Sequence, residues 1–347
     1  MKTFFAWCPL APPTAGSRPS PALATWADRG AYLFLGLGLL QVVAGLDEGW
    51  GRLVPLAIGL LLFGLPHGAI DHLVALGLAG RSLQLLPLSA VLSLYLSVVM
   101  AVLALWVLLP GLAALGFLIM TIYHWGKGDL AFERCDVDNE SGFRGSLANG
   151  IHLILRGLIP IGLPFLIFPD QASEFINACV RFFAPDRVID WSLWRSLLLI
   201  AFVGFFCGDL WVHLRHFRQP LARRVLMENF ALALFFSLVP PVIAIGWYFA
   251  GWHGFRHLLR LARYQAVDRP AALDLPTGLA RLGWQAFPFT VVSVIMLLIL
   301  YIGMADRVTD SFQATALYLV LISALTLPHL IIVEWMDRRE KSSHEVS

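Results

Sequence analysis

Long apolar runs recur along most of this 347-residue chain, and only 14% of its residues are charged. Soluble domains contain about 25% charged residues. Inside a bilayer, only helices and closed barrels satisfy every backbone polar group, and a helical span takes about 20 apolar residues. The sequence therefore predicts an all-α, polytopic transmembrane helical bundle of about 8–10 spans.

Hydropathy divides the membrane region into ten candidate spans. They cover residues 31–48, 53–78, 84–109, 111–127, 147–169, 191–214, 225–240, 242–262, 283–304 and 311–335. A nine-span alternative stays open at Pro240 and Pro241, because proline bends a helix that it does not end. In that alternative, residues 225–262 form one long kinked helix.

Arginine-rich loops indicate the orientation of the chain. Residues 215–224 carry four arginines, and residues 260–281 carry four more. Such loops are typically cytoplasmic. Two cytoplasmic loops in succession require an even number of crossings between them, which favours ten spans, with both termini cytoplasmic in a cell membrane. We expect a loose tail at 1–28, a single membrane helical domain at 29–337 and a C-terminal tail at 338–347.

Two stretches between the spans are not expected to cross the membrane. Residues 128–146 are rich in Asp, Glu and Gly and are predicted to form a polar loop, while residues 171–190 are expected to lie as an interfacial helix.

The net charge is only +2, and no basic stretch is long enough to suggest a nucleic-acid partner. The four cysteines form no CxxC pair, which argues against a disulfide framework or a zinc cluster.

Four of the histidines inside predicted spans are candidate metal ligands: His67, His124, His253 and His257. An ionisable side chain at bilayer depth usually marks a functional site, and neutral imidazole is a common ligand of Fe, Cu and Zn. At about 1.5 Å per residue, three of the spans bring a histidine to a similar depth. His253 and His257 are one helical turn apart and share a face. The spacing predicts one metal site formed by the four imidazoles.

Further residues are assigned to the surroundings of this site. Asp71 is one turn from His67 and is expected to orient its ring. His72 and the intramembrane His329 are expected to support the site or to act as reserve ligands. The substrate should be lipid-soluble and enter from the bilayer. Six aromatic residues are expected to line its slot: Phe63, Tyr123, Trp125, Trp211, Trp252 and Phe255.

The sequence assigns no role in the metal site to three further histidines. His213 and His216 have a spacing that permits chelation, but neighbouring arginines make contact with lipid head groups the simpler interpretation. His152 lies near the start of a span and is interpreted as a hydrogen-bonded polar residue.

The chemistry of four imidazoles leaves several functions open. Zinc with four ligands would be closed and structural, whereas iron commonly takes six ligands and would keep positions for oxygen and substrate. The alternatives are a haem-binding membrane electron carrier, with two axial histidines, and a histidine-dependent transporter. A di-iron desaturase is disfavoured because the sequence has no HxxHH box.

The motifs FGLPHGAIDH (63–72), YHWGKGD (123–129) and WHGFRH (252–257) resemble those of the Brp/Blh family of membrane β-carotene dioxygenases. The resemblance extends from about residue 55 to 335 and includes LPH at 327–329, although the stretches at 128–146 and 171–190 look long. It implies an Fe(2+) site formed by the four histidines. It also implies O2-dependent cleavage of the central double bond of β-carotene to two retinals, with possible hand-over of retinal to a rhodopsin.

Overall fold

The computed structural model describes residues 21–136, 145–266, 275–308 and 311–345. Every regular element in these ranges is helical, which confirms the predicted all-α class. The α-helices are α1 (Pro21–Val43), α2 (Val54–Ile58), α3 (Leu65–Ala69), α4 (Asp71–Leu78), α5 (Leu85–Leu108), α6 (Pro110–Asp136), α7 (Ser146–Ile167), α8 (Pro169–Phe183), α9 (Ser192–Arg215), α10 (Pro220–Leu238), α11 (Pro241–Tyr248), α12 (Gly254–Ala266), α13 (Leu275–Gly303) and α14 (Ser311–Glu345).

Six helical segments are long and apolar enough to cross a membrane, and each coincides with a predicted span. They are Gly51–Leu78, Leu85–Leu108, Ser146–Ile167, Trp194–Arg215, Leu275–Gly303 and Gln313–Glu340. The other four predicted spans also fall on helices, namely α1, α6, α10 and α11 with α12. The protein is a polytopic membrane bundle.

The helical geometry is interrupted between α10 and α11. Val239 (φ −104°, ψ 129°) and Pro240 (φ −54°, ψ 145°) are both extended. A proline disfavours helical geometry in the residue before it, and here two prolines follow one another. Residues 225–262 are therefore not one kinked helix.

Helices replace predicted loops and tails in three places. The first helix begins at Pro21, so residues 21–28 are helical, and α14 continues to Glu345 through most of the expected C-terminal tail. Helix α6 runs to Asp136 through half of the expected polar loop, because its polar residues Asp129 and Glu133 are buried and paired inside the bundle. Residues 1–20 and 137–144 lie outside the described residues.

The expected interfacial helix at 171–190 corresponds to α8, which ends earlier, at Phe183. Its apolar residues, including Phe175 and Ile176, are buried in the same hydrophobic cluster as residues of α6 and α14. Helix α8 therefore packs against the bundle through one face.

Helices α6 and α7 touch backbone to backbone. A Cβ atom added to Gly126 would lie 1.9 Å from the carbonyl oxygen of Leu153, and one added to Gly157 would lie 1.9 Å from that of Ile122. Small residues allow such close approach between membrane helices. This contact fixes α6, which carries His124, against α7.

A buried ionic network joins α6, α7, α10 and α12. Arg156 donates to Asp129 (2.7 Å) and to Glu228 (2.7 Å), and Arg256 donates to Glu228 (2.8 Å). The indole of Trp252 donates to Asp129 at 3.0 Å. All five side chains are buried. Charges inside an apolar bundle must be paired in this way, since an unpaired one is costly.

We expect Gly157→Ala to destabilise the protein, because the added methyl group meets the backbone of α6. Overpacking of this kind costs about 1–3 kcal/mol. The measurement is the thermal midpoint of unfolding of the purified protein in detergent. Gly150→Ala on the same helix is the control, since no other part of the described chain, apart from its own helical turn, lies within 4 Å of the added Cβ. Equal midpoints for the two variants would contradict the close contact.

Candidate metal centre

The site lies where two irregular helical segments face each other. Residues Gly59–Gly64 and Phe249–His253 are π-helical, and each leads directly into a helix that carries a histidine of the site. A Cβ added to Gly59 would lie 2.6 Å from the carbonyl oxygen of Gly246 in α11 and 3.4 Å from the backbone nitrogen of Ala250 in the second segment. π-Helical turns are rare and occur frequently at functional sites, because they change the direction of side chains.

Five buried histidine rings come together at this point. The ring centroid of His329 lies 4.8 Å from that of His67, 5.1 Å from that of His124 and 5.4 Å from that of His257. The ring of His253 lies 4.9 Å from that of His124 and 5.9 Å from that of His67. The four histidines predicted from the sequence thus converge, and the predicted reserve residue His329 lies among them.

Hydrogen bonds fix the orientation of two of the rings. His67 donates from Nδ1 to the carbonyl oxygen of Phe63 at 2.8 Å, and His329 donates from Nδ1 to Asp71 at 2.9 Å. In each neutral ring the lone pair is then on Nε2. Asp71 therefore orients His329 rather than His67, and its own carboxylate accepts from the hydroxyl of Tyr95 at 3.4 Å.

The donor set fits a transition-metal ion. One nitrogen each of His67, His124 and His329 lies within 4.8 Å of the others. His124 Nδ1, His253 Nε2 and His329 Nε2 are buried and have no hydrogen-bond partner among the described residues. A buried polar atom without a partner is costly, and a bound ion would remove that cost. Imidazole nitrogens suit Fe, Cu, Zn and Ni.

An apolar cavity of about 230 Å³ adjoins the histidines. Leu92, Tyr95 and Leu96 of α5 line one side of it, and Phe289 and Val292 of α13 line another. A second cavity of about 80 Å³ shares several lining residues with the first. The shared residues are Phe117, Thr121, Trp125, Phe249 and Ile322. The two apolar cavities therefore adjoin each other beside the histidines.

The residues that line the first cavity differ from the six aromatic residues predicted from the sequence. Of those six, only Trp125 borders the cavity. The indole of Trp252 points to Asp129, and Phe63 packs against Phe255 at 6.0 Å between ring centroids. Tyr123 hydrogen-bonds Glu334, and Trp211 is exposed on α9 beneath the guanidinium of Arg215. Polar partners and neighbouring helices therefore turn these rings away from the cavity.

The remaining histidines take other positions. His72 lines the cavity with its ring against Phe289, at 4.4 Å between centroids. His152 and His213 lie together at a separate place, with Asp209 between them. His216 donates from Nδ1 to the carbonyl oxygen of Val212 at 2.9 Å.

Sequence reasoning gave no role to several residues that line the cavity, including Tyr95, Thr121 and Phe289. Nothing in their local sequence distinguishes them from other residues of apolar helices. His329 did carry a signal, because it follows Leu-Pro in the last span just as His67 does in the second.

Comparison with known proteins identifies relatives along most of the chain. The family model "Beta-carotene 15,15'-dioxygenase" matches residues 58–337. The probable beta-carotene 15,15'-dioxygenase Blh of Halobacterium salinarum is 33% identical, over 95% of this chain and 96% of that protein. A beta-carotene 15,15'-dioxygenase of an uncultured marine bacterium is 24% identical, over 82% of this chain and 94% of that protein. No solved structure matches the chain.

We expect Asp71→Asn to weaken metal binding, because the amide is a poorer acceptor for the Nδ1 proton of His329. Loss of a carboxylate that orients a metal-binding histidine typically costs about 10–100-fold in affinity. Titration of the metal-free protein with Co2+, followed by absorbance, measures the effect. Asp186→Asn, at an exposed position, is the control. An unchanged affinity in Asp71→Asn would show that His329 is not a ligand.

Proposed function

Because the chain belongs to the beta-carotene 15,15'-dioxygenase family, we propose that it cleaves the central double bond of β-carotene with O2, giving two molecules of all-trans-retinal at an Fe(2+) centre. The observation that carries this proposal is the convergence of buried histidines beside an apolar cavity. A polyene is apolar along its whole length and needs such a cavity to approach a metal.

The residues that would hold the iron are His67, His124, His253 and His257, with His329 as a fifth imidazole. When bound, Fe(2+) would supply the activation of O2, which does not react readily with a double bond by itself. Five imidazoles would leave one of the six positions common for iron open. Phe63 and Asp71 hold the rings of His67 and His329, so that both Nε2 atoms are available as ligands.

The cavity supports entry of the substrate from the bilayer. Leu96 on α5 and Val292 on α13 both line the cavity, yet their side chains are 52% and 47% exposed on the outer surface of the bundle. Both helices are candidate spans whose surfaces are largely exposed. We propose that β-carotene enters between α5 and α13 and that the surrounding apolar side chains exclude water from it.

Geometry argues against the haem alternative. The donor atoms of His67, His124 and His329 all lie within 4.8 Å of one another. A porphyrin plane between any two of them would collide with the third ring. The site therefore suits a single ion better than a haem.

We further propose a location in the cell membrane, with both termini cytoplasmic. The arginines between α9 and α10 support this orientation, since Arg215, Arg218 and Arg223 lie in or beside that connection and such clusters are typically cytoplasmic. Retinal formed in the cavity would leave through the lipid, where a rhodopsin could receive it.

The first experiment is retinal formation in carotene-producing cells that express the chain. We expect the wild type to form retinal, and His67→Ala and His253→Ala to form none above background, because each removes an imidazole from the centre of the site. Iron is quantified in the purified proteins alongside. His216→Ala is the control, since its ring lies outside the site.

Retinal from His67→Ala at the wild-type level would overturn the assigned site. Iron bound by the wild type without retinal would keep the metal centre and require another lipid-soluble substrate. Absence of both would reject the proposed function.

We expect Leu96→Trp to lower retinal formation at least tenfold at unchanged protein and iron levels, because the indole would fill the mouth of the cavity. Leu94→Trp is the matched control, as Leu94 lies on the same helix, is 69% exposed and does not line the cavity. Retinal analysis in carotene-producing cells measures both variants. Equal activity of the two would exclude entry between α5 and α13.

A further inference from the structure

A third cavity, of about 590 Å³, lies between α6, α7, α8 and α9. It shares no lining residue with the first cavity, which borders the histidines, and three with the second. Several of its lining side chains are also exposed on the outside of the bundle, namely Ile119 of α6 and Trp194 and Leu197 of α9. The cavity is therefore a groove that opens towards the lipid, separate from the candidate metal centre.

The walls of this groove are apolar. Helix α6 lines it from Leu115 to Ile122, and α9 lines it from Leu197 to Ala201. The stretch of α6 alone is about 10 Å long, which is about a third of the hydrocarbon thickness of a bilayer. Helix α7 adds Ile161, Gly162 and Phe165. Such walls suit part of an acyl chain.

One end of the groove is polar and lies at the level of the lipid head groups. The candidate span Trp194–Arg215 has 22 residues, or about 33 Å, which is the whole hydrocarbon thickness. Arg195, near its start, is therefore at the membrane boundary. The neighbouring Trp191 and Trp194 also line the groove, and tryptophan is enriched at that boundary. Asp170, at the start of α8, and Asp190, just before α9, line the same end.

Contacts within the protein hold this polar end in shape. Asn177 on α8 accepts from the N–H of Ile189 at 2.9 Å and donates to its carbonyl oxygen at 3.3 Å. The ring of Trp191 packs against Phe165, at 4.7 Å between centroids. The connection that carries Asp190 to α9 is thus fixed before any ligand binds. A preformed site loses less conformational entropy on binding.

The charges of this end match a zwitterion. Arg195 donates to the carbonyl oxygen of Leu166 at 3.1 Å and forms no ion pair with a described carboxylate. Its other N–H groups can donate to a phosphate, which guanidinium groups bind well. Asp190 accepts from the N–H of Ser192 at 2.9 Å, and this hydrogen bond lowers the pKa of Asp190 and keeps it ionised. With Asp170, two carboxylates are then available for a cation.

We propose that the groove binds one molecule of phosphatidylethanolamine. Its phosphate lies at Arg195, its ammonium group lies at Asp170 and Asp190, and one acyl chain lies between α6 and α9. An anionic phospholipid would bring a phosphate without a cation and would leave both carboxylates uncompensated. A carotenoid hydrocarbon has no charged group for the polar end. This site does not depend on the proposed carotene cleavage.

The first test compares head groups. The full chain is stripped of lipid in detergent and incubated with equimolar phosphatidylethanolamine and phosphatidylglycerol, and native mass spectrometry counts the bound molecules. We expect one phosphatidylethanolamine per chain, in preference to phosphatidylglycerol. Arg195→Gln should weaken its binding about tenfold, the effect of one hydrogen bond between charged groups. Arg187→Gln is the control, because Arg187 is exposed and does not line the groove.

Two further variants test the acidic side and the apolar walls. Asp170→Asn/Asp190→Asn should remove the preference for phosphatidylethanolamine over phosphatidylglycerol. Leu197→Trp should abolish the bound lipid, because the indole fills the groove. Leu199→Trp is its matched control, since Leu197 and Leu199 are both 51% exposed on α9 and only Leu197 lines the groove.

A last measurement needs no variant. A ligand that binds only the folded state raises the thermal midpoint of unfolding, so phosphatidylethanolamine should raise the midpoint of the unaltered chain more than the same concentration of phosphatidylglycerol. Equal midpoints together with equal binding of the two lipids would overturn the proposal and leave only the general lipid coat of a membrane protein. Displacement of the bound phospholipid by β-carotene would overturn it too, and would assign the groove to the polyene.

Discussion

The pairing of charges inside an apolar bundle is the constraint on which the rest of this structure depends. Arg156 is fully buried in the middle of a helix that is otherwise apolar enough to cross a membrane. From α7, its guanidinium reaches two other helices at once, through Asp129 of α6 and through Glu228 and Asn229 of α10. Removal of Asp129 or Glu228 would break a buried ion pair, which costs about 3–5 kcal/mol in soluble proteins. The network therefore fixes the relative positions of helices that hydrophobic packing alone would hold loosely, since lipid is as apolar as the helix surfaces.

The candidate metal centre depends on a different device, the interruption of helices. In a regular helix, successive side chains are rotated by about 100° around the axis. This fixed register cannot be adjusted to the position of an ion. The π-helical segments before His67 and at His253 change that register locally. The first segment can lie against α11 and the start of the second segment because Gly59 and Gly246 have no side chains. The cost of the irregular turns is a sign that the arrangement of the rings matters for function.

Much of the fold was predictable because hydropathy reports directly on membrane helices, and six predicted spans coincide with apolar helices of the structure. The common depth of His67, His124 and His253 predicted that they converge, and the structure brings them together.

Pairing between distant segments was not predictable. Asp71 was assigned to His67 from helical spacing, yet it pairs with His329, 258 residues away. Asp129 and Glu133 were placed in a loop because polar residues usually face water, whereas here Asp129 pairs with Arg156 and Glu133 contacts His152 inside the bundle. The direction of Trp252 follows from the same cause, since Asp129 accepts its indole N–H.

The two histidine groups are joined by a short series of hydrogen bonds. Asp209 accepts from Asn229 at 2.7 Å, Asn229 accepts from Arg156 at 2.9 Å, and Arg156 donates to Asp129 at 2.7 Å. Asp129 then accepts from Trp252, the residue before His253. Each bond restricts the next side chain, so a group that holds Asp209 in place also limits the movement of the π-helical segment. The position of Asp209 on α9 is thus linked, without any contact with the cavity, to the backbone that presents His253 to its neighbours.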